Sequence, residues 1–142
     1  MTKGKLVYWG STALLCLIYA GGAMAYATQR PMVEEGFSHF GYPAYLVTVL
    51  IVAKIAAPLA ILTRVSVQLS DLAYAGMLFH LLLAVSAHLN AGDDGFIPAL
   101  VALVLMLTSF LTQNAARKVA SPNAPYAFGS TASPESVRHG QL

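Results

Sequence analysis

Apolar residues along the chain are concentrated in four long runs that are separated by short polar connections. A run of about 20 predominantly apolar residues has the length of one helix that crosses a bilayer. The four runs are Leu6–Ala27, Pro43–Leu62, Leu72–Leu89 and Phe96–Thr112. This pattern predicts an all-α membrane protein built as a bundle of four transmembrane helices.

The segments outside the runs differ from one another. The first connection, Thr28–Tyr42, mixes aromatic and charged residues, which predicts a short interfacial helix or loop between the first two spans. It would serve either as a periplasmic lid or as a simple connector. The chain after residue 119 is rich in Ser, Pro, Ala and Gly and has no apolar period. We therefore expect a transmembrane domain over residues 1–119 and a flexible cytoplasmic tail over residues 120–142.

Composition supports the membrane assignment and excludes some functions. Hydrophobic residues make up 57% of the chain and charged residues 10%, whereas soluble domains carry roughly 25% charged residues. The first run is longer than the core of a signal peptide, so we expect it to be retained as a helix. A net charge of +2 without a basic cluster argues against a nucleic-acid partner. A single cysteine, Cys16, excludes an internal disulfide.

Basic residues predict the orientation of the bundle. Most of the lysines and arginines before residue 119 lie on one side of the predicted membrane, namely Lys3, Lys5, Arg64, Arg117 and Lys118. Cytoplasmic loops carry the excess of such residues in membrane proteins. We therefore expect both termini in the cytoplasm and a multi-pass location in a bacterial inner membrane.

One charged residue interrupts an otherwise apolar run. Lys54 lies ten residues before Arg64, about 15 Å into the bilayer at 1.5 Å per residue. A charge at that depth costs at least about 2.5–3.5 kcal/mol, so it marks a candidate functional site. Tyr19, His80 and Thr108 fall near the same depth on the other three spans. We expect these four residues to line an intramembrane polar pocket; the alternative is a set of interhelical hydrogen bonds that only fixes packing.

A second group of polar residues is expected at the periplasmic mouth of that pocket. Its members are Glu34, Glu35, His39, His88 and Asp93. They could supply metal ligands, but no pair of them has the close spacing that is typical of a metal site. We expect a solvated acidic rim and no metal.

Two motifs resemble those of the DoxX-like family. The first is Phe-x-x-x-Gly-Tyr-Pro-x-Tyr-Leu over residues 37–46, and the second is Ser-x-His-Leu-x-x-Gly-Asp over residues 86–93. The resemblance implies a compact four-helix integral membrane protein, and it makes His88 and Asp93 candidate site residues. The family name comes from a subunit of a thiosulfate:quinone oxidoreductase, and other relatives are linked to redox complexes or act as assembly chaperones. Many relatives carry an acidic residue at the position of Lys54, so this chain reverses the charge there.

Three functions are consistent with these features. The first is an accessory or quinone-linked subunit of a membrane redox system, in which Lys54 and His80 hydrogen-bond a quinone or relay protons. The second is an assembly protein without chemistry of its own, bound to a membrane partner or to further copies of itself. The third is a small membrane enzyme acting on a lipophilic molecule. The sequence contains no haem, flavin or iron–sulfur motif, so a quinone is the only cofactor that we consider.

Overall fold

A computed structural model describes residues 2–126 of the chain. This part of the chain forms five helices and no strand. They are α1 Lys3–Thr28, α2 Arg30–His39, α3 Tyr45–Thr63, α4 Val67–Ala91 and α5 Phe96–Ala116. All except α2 are long and apolar enough to cross a membrane. The prediction of four transmembrane helices with a short helix between the first two is confirmed.

Local sequence signals fix the helix ends. The Ser66 hydroxyl accepts a hydrogen bond from the Leu69 backbone N–H at 3.0 Å and so caps the start of α4. Gly92 ends α4 with a φ of 71°, a left-handed conformation that glycine adopts without strain. Pro31 lies in the first turn of α2, where its missing N–H is tolerated. These signals separate the spans by short turns, which makes sequence neighbours antiparallel.

The four long helices pack in a ring. Each one contacts two others, in the order α1, α3, α4, α5 and back to α1, while α2 lies against α1 and α3. Large apolar side chains cover the outer surface, including Leu17, Val52, Leu72, Phe79 and Val104. An apolar surface of this extent would be unstable in water and suits contact with lipid.

The bundle interior combines apolar packing with one buried hydroxyl network. Leu15, Ile61, Met77 and Met106 belong to the apolar core. Beside them the Ser109 hydroxyl lies 2.7 Å from the Thr12 hydroxyl and 2.7 Å from the Tyr74 hydroxyl. All three residues are buried. Because buried hydroxyls need partners, this network specifies how α1, α4 and α5 face one another.

Arginine side chains lock the end of the bundle where α3 and α5 finish. Arg117 donates to the Tyr8 hydroxyl at 2.7 Å and to the Ile61 carbonyl oxygen at 2.5 Å. The second bond satisfies a carbonyl of the last turn of α3, which has no partner within its own helix. Arg64 donates to the Gln113 side-chain oxygen at 2.5 Å. Helices α1, α3 and α5 are therefore tied together at this end.

The segment after α5 packs against the same end of the bundle. Ser121 is fully buried and donates to an Asp71 carboxylate oxygen at 2.6 Å. Asn114 donates to the carbonyl oxygens of Ser121 and Ala124. Ser121 and Ala124, which follow residue 119, are thus buried. The rest of the predicted flexible tail, residues 127–142, lies outside the described residues.

Candidate functional site

Lys54 lies on the inner side of α3, directly against α1. Its side chain is only 9% exposed, and its Nζ is 5.1 Å from the ring centroid of Tyr19 and 4.9 Å from that of Tyr26. Each cation–π contact of this kind contributes about 0.5–2 kcal/mol. No hydrogen bond or ion pair of this Nζ occurs within residues 2–126. The two rings offset part of the cost of a charge in the membrane, and the charge itself stays unneutralised there.

Space for the amine is provided by a glycine on α1. A methyl group added at Gly22 would lie 3.2 Å from the Lys54 Nζ, a close contact. Gly22 lies between Tyr19 and Tyr26 in the sequence. One helix, α1, therefore supplies the glycine and both aromatic rings that contact the Lys54 amine. Only Tyr19 of these three was a predicted site residue. The seven-residue spacing of the two tyrosines puts them on one face of α1, with Gly22 between them, but it does not show which helix faces them.

Tyr19 also connects the site to α4. Its hydroxyl lies 3.0 Å from the His80 Nδ1, a hydrogen bond across the bundle. The two rings meet edge to face, with centroids 5.7 Å apart. This contact leaves the His80 Nε2 without a hydrogen bond in the described part of the chain. The structure therefore brings three of the four predicted pocket residues together, one each from α1, α3 and α4.

Thr108 is not part of this group. Its hydroxyl donates to the Val104 carbonyl oxygen of its own helix at 2.8 Å, which is the usual way for a threonine in a transmembrane helix to satisfy itself. The neighbouring residue, Ser109, points inward instead and joins the hydroxyl network. Depth along a helix can be counted from sequence, but one residue of difference rotates a side chain by 100°. Thr108 therefore does not lie in the pocket where the sequence analysis placed it.

A groove between α3 and α4 leads to the Lys54 side chain. It encloses a cavity of about 310 Å³, and the exposed residues on its walls show that it opens at the lipid-facing surface. The walls are mostly small residues, among them Ala53, Ala56, Ala57, Ala60 and Gly76. Such faces usually permit close helix packing. Here the small side chains instead leave a gap that is closed on the inside by Lys54, Tyr19 and His80.

A second cavity lies on the other side of His80. It has a volume of about 330 Å³ and shares only His80 and Leu50 with the first. Its walls are largely aromatic and include Tyr26, Phe37, Phe40, Tyr42 and His88. The connection containing α2 supplies three of these rings, so it forms part of the cavity wall.

His88 and Asp93 meet at the outer end of the second cavity. The His88 Nδ1 lies 2.6 Å from an Asp93 carboxylate oxygen, and the same oxygen accepts the Gly95 backbone N–H at 2.8 Å. The Gly95 N–H and then His88 hold the pKa of Asp93 below its ordinary value. The Phe40 ring packs edge to face on His88, with centroids 4.9 Å apart. Of this pair, His88 lines the second cavity.

The other predicted mouth residues are more dispersed. Glu34 pairs with Arg30 on its own helix at 2.7 Å, and Glu35 is exposed. His39 lines a third pocket over the end of α4 together with Phe40 and Tyr42. Among residues 2–126 no three His, Cys, Asp or Glu side chains are grouped closely enough to hold a metal ion. Only His88 and Asp93 of the predicted rim act as a unit.

Comparison with known families decides the classification. The model of the DoxX-like family matches residues 10–111. The chain belongs to the DoxX-like family. Neither a curated protein nor a solved structure matches the chain. The DoxX-like region spans all of α2, α3 and α4 and most of α1 and α5. It therefore contains Tyr19, Lys54 and His80. Arg117 and the segment after it lie outside this region.

Proposed function

We propose that this DoxX-like membrane protein is an accessory, quinone-linked subunit of a membrane redox system. One observation carries the proposal: Lys54, with the Tyr19–His80 pair beside it, closes the inner wall of a groove that opens toward lipid. A ligand entering from the bilayer would meet these polar groups without crossing water. Small-molecule sites have this composition, with apolar walls and a few convergent polar groups.

The chemistry of the groove suits a quinone. The carbonyl oxygens of a quinone accept hydrogen bonds, and both the Lys54 ammonium and a protonated His80 Nε2 are donors. An isoprenoid chain would lie along the alanine-lined wall and exchange with lipid. Electrons would have to come from a redox partner in the membrane, and the chain would contribute binding and proton exchange.

Titration of quinone into the protein in nanodiscs tests this role. Tyr19→Phe and His80→Phe should each weaken quinone binding about tenfold, equivalent to about 1.4 kcal/mol. The double variant should be no weaker than either single one, because the tyrosine acts by orienting the histidine and the two form one unit. Tyr45→Phe is the matched control, since Tyr45 is exposed at the start of α3. Wild-type affinity in both single variants, or losses that add, would remove the pair from the site.

A second role, assembly with another membrane protein, draws on the same groove. Ala53, Ala56 and Gly76 are exposed on it, and small residues of this kind allow a partner helix to approach closely. Purification in mild detergent separates the two roles. A redox partner or extracted quinone supports the first role, whereas a stoichiometric partner without redox groups supports the second.

We place the protein in a bacterial inner membrane with both termini in the cytoplasm. Arg64 and Arg117 meet at one end of the bundle, whereas Asp93 and Asp94 lie in the turn at the other end of α4. The positive-inside rule assigns the arginine end to the cytoplasm. A reporter enzyme that works only in the cytoplasm should therefore be active when it is fused after Lys118. A reporter enzyme that works only in the periplasm should be active when it is inserted after Asp94. The reverse pattern would contradict the assignment.

A further inference from the structure

The carboxylates of the described chain are all distant from Lys54 or already engaged. They are Glu34, Glu35, Asp71, Asp93 and Asp94. Asp71 accepts hydrogen bonds from Ser121 and Asn123 at the arginine end of the bundle. The other four lie in α2 or in the turn after α4, outside the four long helices. Lys54 is thus a membrane-embedded cation without a counter-ion among residues 2–126.

The surroundings of Lys54 hold a cation but do not neutralise it. The Tyr19 and Tyr26 rings present their negative faces to the amine, which stabilises its charged form. The rest of the cavity wall is almost entirely apolar. In such a low-dielectric site the attraction between opposite charges is several times stronger than in water. A positive potential therefore extends from Lys54 into the groove.

From this arrangement we infer that the groove selects ligands whose ring oxygen carries a negative charge, such as an ionised hydroxyquinone or a quinol anion, over neutral quinones. This inference rests on the proposed quinone function. A neutral carbonyl accepts a hydrogen bond from the ammonium but leaves the charge uncompensated. An aryl oxide accepts the same bond and also supplies the missing counter-ion, so the attraction between two opposite charges is added to the hydrogen bond.

The geometry fits a ring with an anionic oxygen. Ala53, Ala57 and Gly76 line the groove beside Lys54 with small side chains. A methyl group added at Gly76 would meet nothing within 4 Å. A flat ring can therefore lie between α3 and α4 with its charged oxygen toward Lys54. The Tyr19–His80 pair would face a second oxygen of the same ring.

Two naphthoquinones with the same alkyl chain test the charge preference. One carries a 2-hydroxyl group, which is ionised at neutral pH, and the other carries a 2-methoxy group, which cannot ionise. Binding of both is measured by calorimetry to the full chain in nanodiscs of neutral lipid, with a correction for partition into protein-free discs. We expect the hydroxyl compound to bind about tenfold more tightly or better, equivalent to about 1.4 kcal/mol.

Substitutions locate the preference. In Lys54→Met and Lys54→Gln both compounds should bind much more weakly, and the hydroxyl compound should lose more affinity than the methoxy compound, which removes the preference. Lys118→Met removes the same charge from an exposed position at the end of the bundle and should retain the preference. Equal loss of the preference in Lys118→Met would show that it reflects net charge and would overturn the inference.

The outcomes separate this inference from the proposed function. Equal binding of both naphthoquinones to the wild-type protein would overturn charge selection and leave the quinone role intact. Dodecanoate, an anion without a quinone ring, is titrated in parallel. Its binding without that of either naphthoquinone would overturn the quinone role and, with it, the selection among quinone-like rings. Binding of none of the three compounds would overturn both.

Discussion

Replacing Lys54 with methionine is expected to stabilise the protein and to abolish its retention of quinone. Methionine keeps most of the volume and removes a charge that no carboxylate within residues 2–126 neutralises. Removing such a charge should raise the free energy of unfolding by about 1–2 kcal/mol, toward the lower end of what is found when buried ion pairs are replaced by apolar residues. Stability and function are opposed at sites of this kind.

Both effects can be measured on the same preparation. The midpoint of thermal unfolding in detergent reports stability, and quinone extracted from the purified protein reports retention. Lys118→Met is the control, because it removes the same charge at an exposed position and should change neither quantity. A destabilised Lys54→Met protein would show that Lys54 holds the fold, and full retention of quinone by this variant would show that it does not bind the ligand.

Replacing Arg117 with methionine should have the largest effect on stability. The substitution removes charged hydrogen bonds to the Tyr8 hydroxyl and to the Ile61 carbonyl oxygen, and it removes contacts of the guanidinium with the Tyr8 and Trp9 rings. It also leaves the fully buried Tyr8 without this hydroxyl partner. Allowing for the partial exposure of the arginine, we expect a loss of about 2–3 kcal/mol.

The neighbouring residue again supplies the comparison. Unfolding of Arg117→Met and Lys118→Met, followed by the fluorescence of the single Trp9, should show a large loss for the first and a change within about 0.5 kcal/mol for the second. Trp9 contacts Arg117 directly, so circular dichroism should be recorded as an independent probe. Equal stability of the two variants would mean that Arg117 does not tie the helices together.

The fold followed from the sequence because its strongest signal is the length of the apolar runs. Each run must become a helix, since a backbone in lipid has to satisfy its own hydrogen bonds. The depth of Lys54 and His80 could also be counted from the ends of the runs. Helix rotation was harder to derive, because in a membrane the lipid-facing side is as apolar as the core. This explains why Ser109, and not Thr108, turned out to be the inward-facing hydroxyl.

Features that depend on contacts between helices could not be read from the sequence. The Lys54 amine on α3 contacts Gly22 and Tyr26 on α1. The spacing of residues within one helix does not determine which residues of another helix they contact. The alanines of α3 look the same whether they pack against a helix or line a cavity. The packing of Ser121 depends on Asp71, fifty residues earlier, so a polar, proline-containing segment gave no local sign of it.

Photo-crosslinking gives the most direct test of the proposed site. A quinone with a photoreactive group on its ring is illuminated with the protein in nanodiscs, and the labelled peptides are identified by mass spectrometry. We predict adducts on the groove walls, between Leu50 and Ala60 of α3 and between Leu69 and His80 of α4, which disappear with excess unlabelled quinone and in Lys54→Met. Adducts spread over the outer faces of α1 and α5, or unaffected by competitor, would contradict quinone binding in the groove.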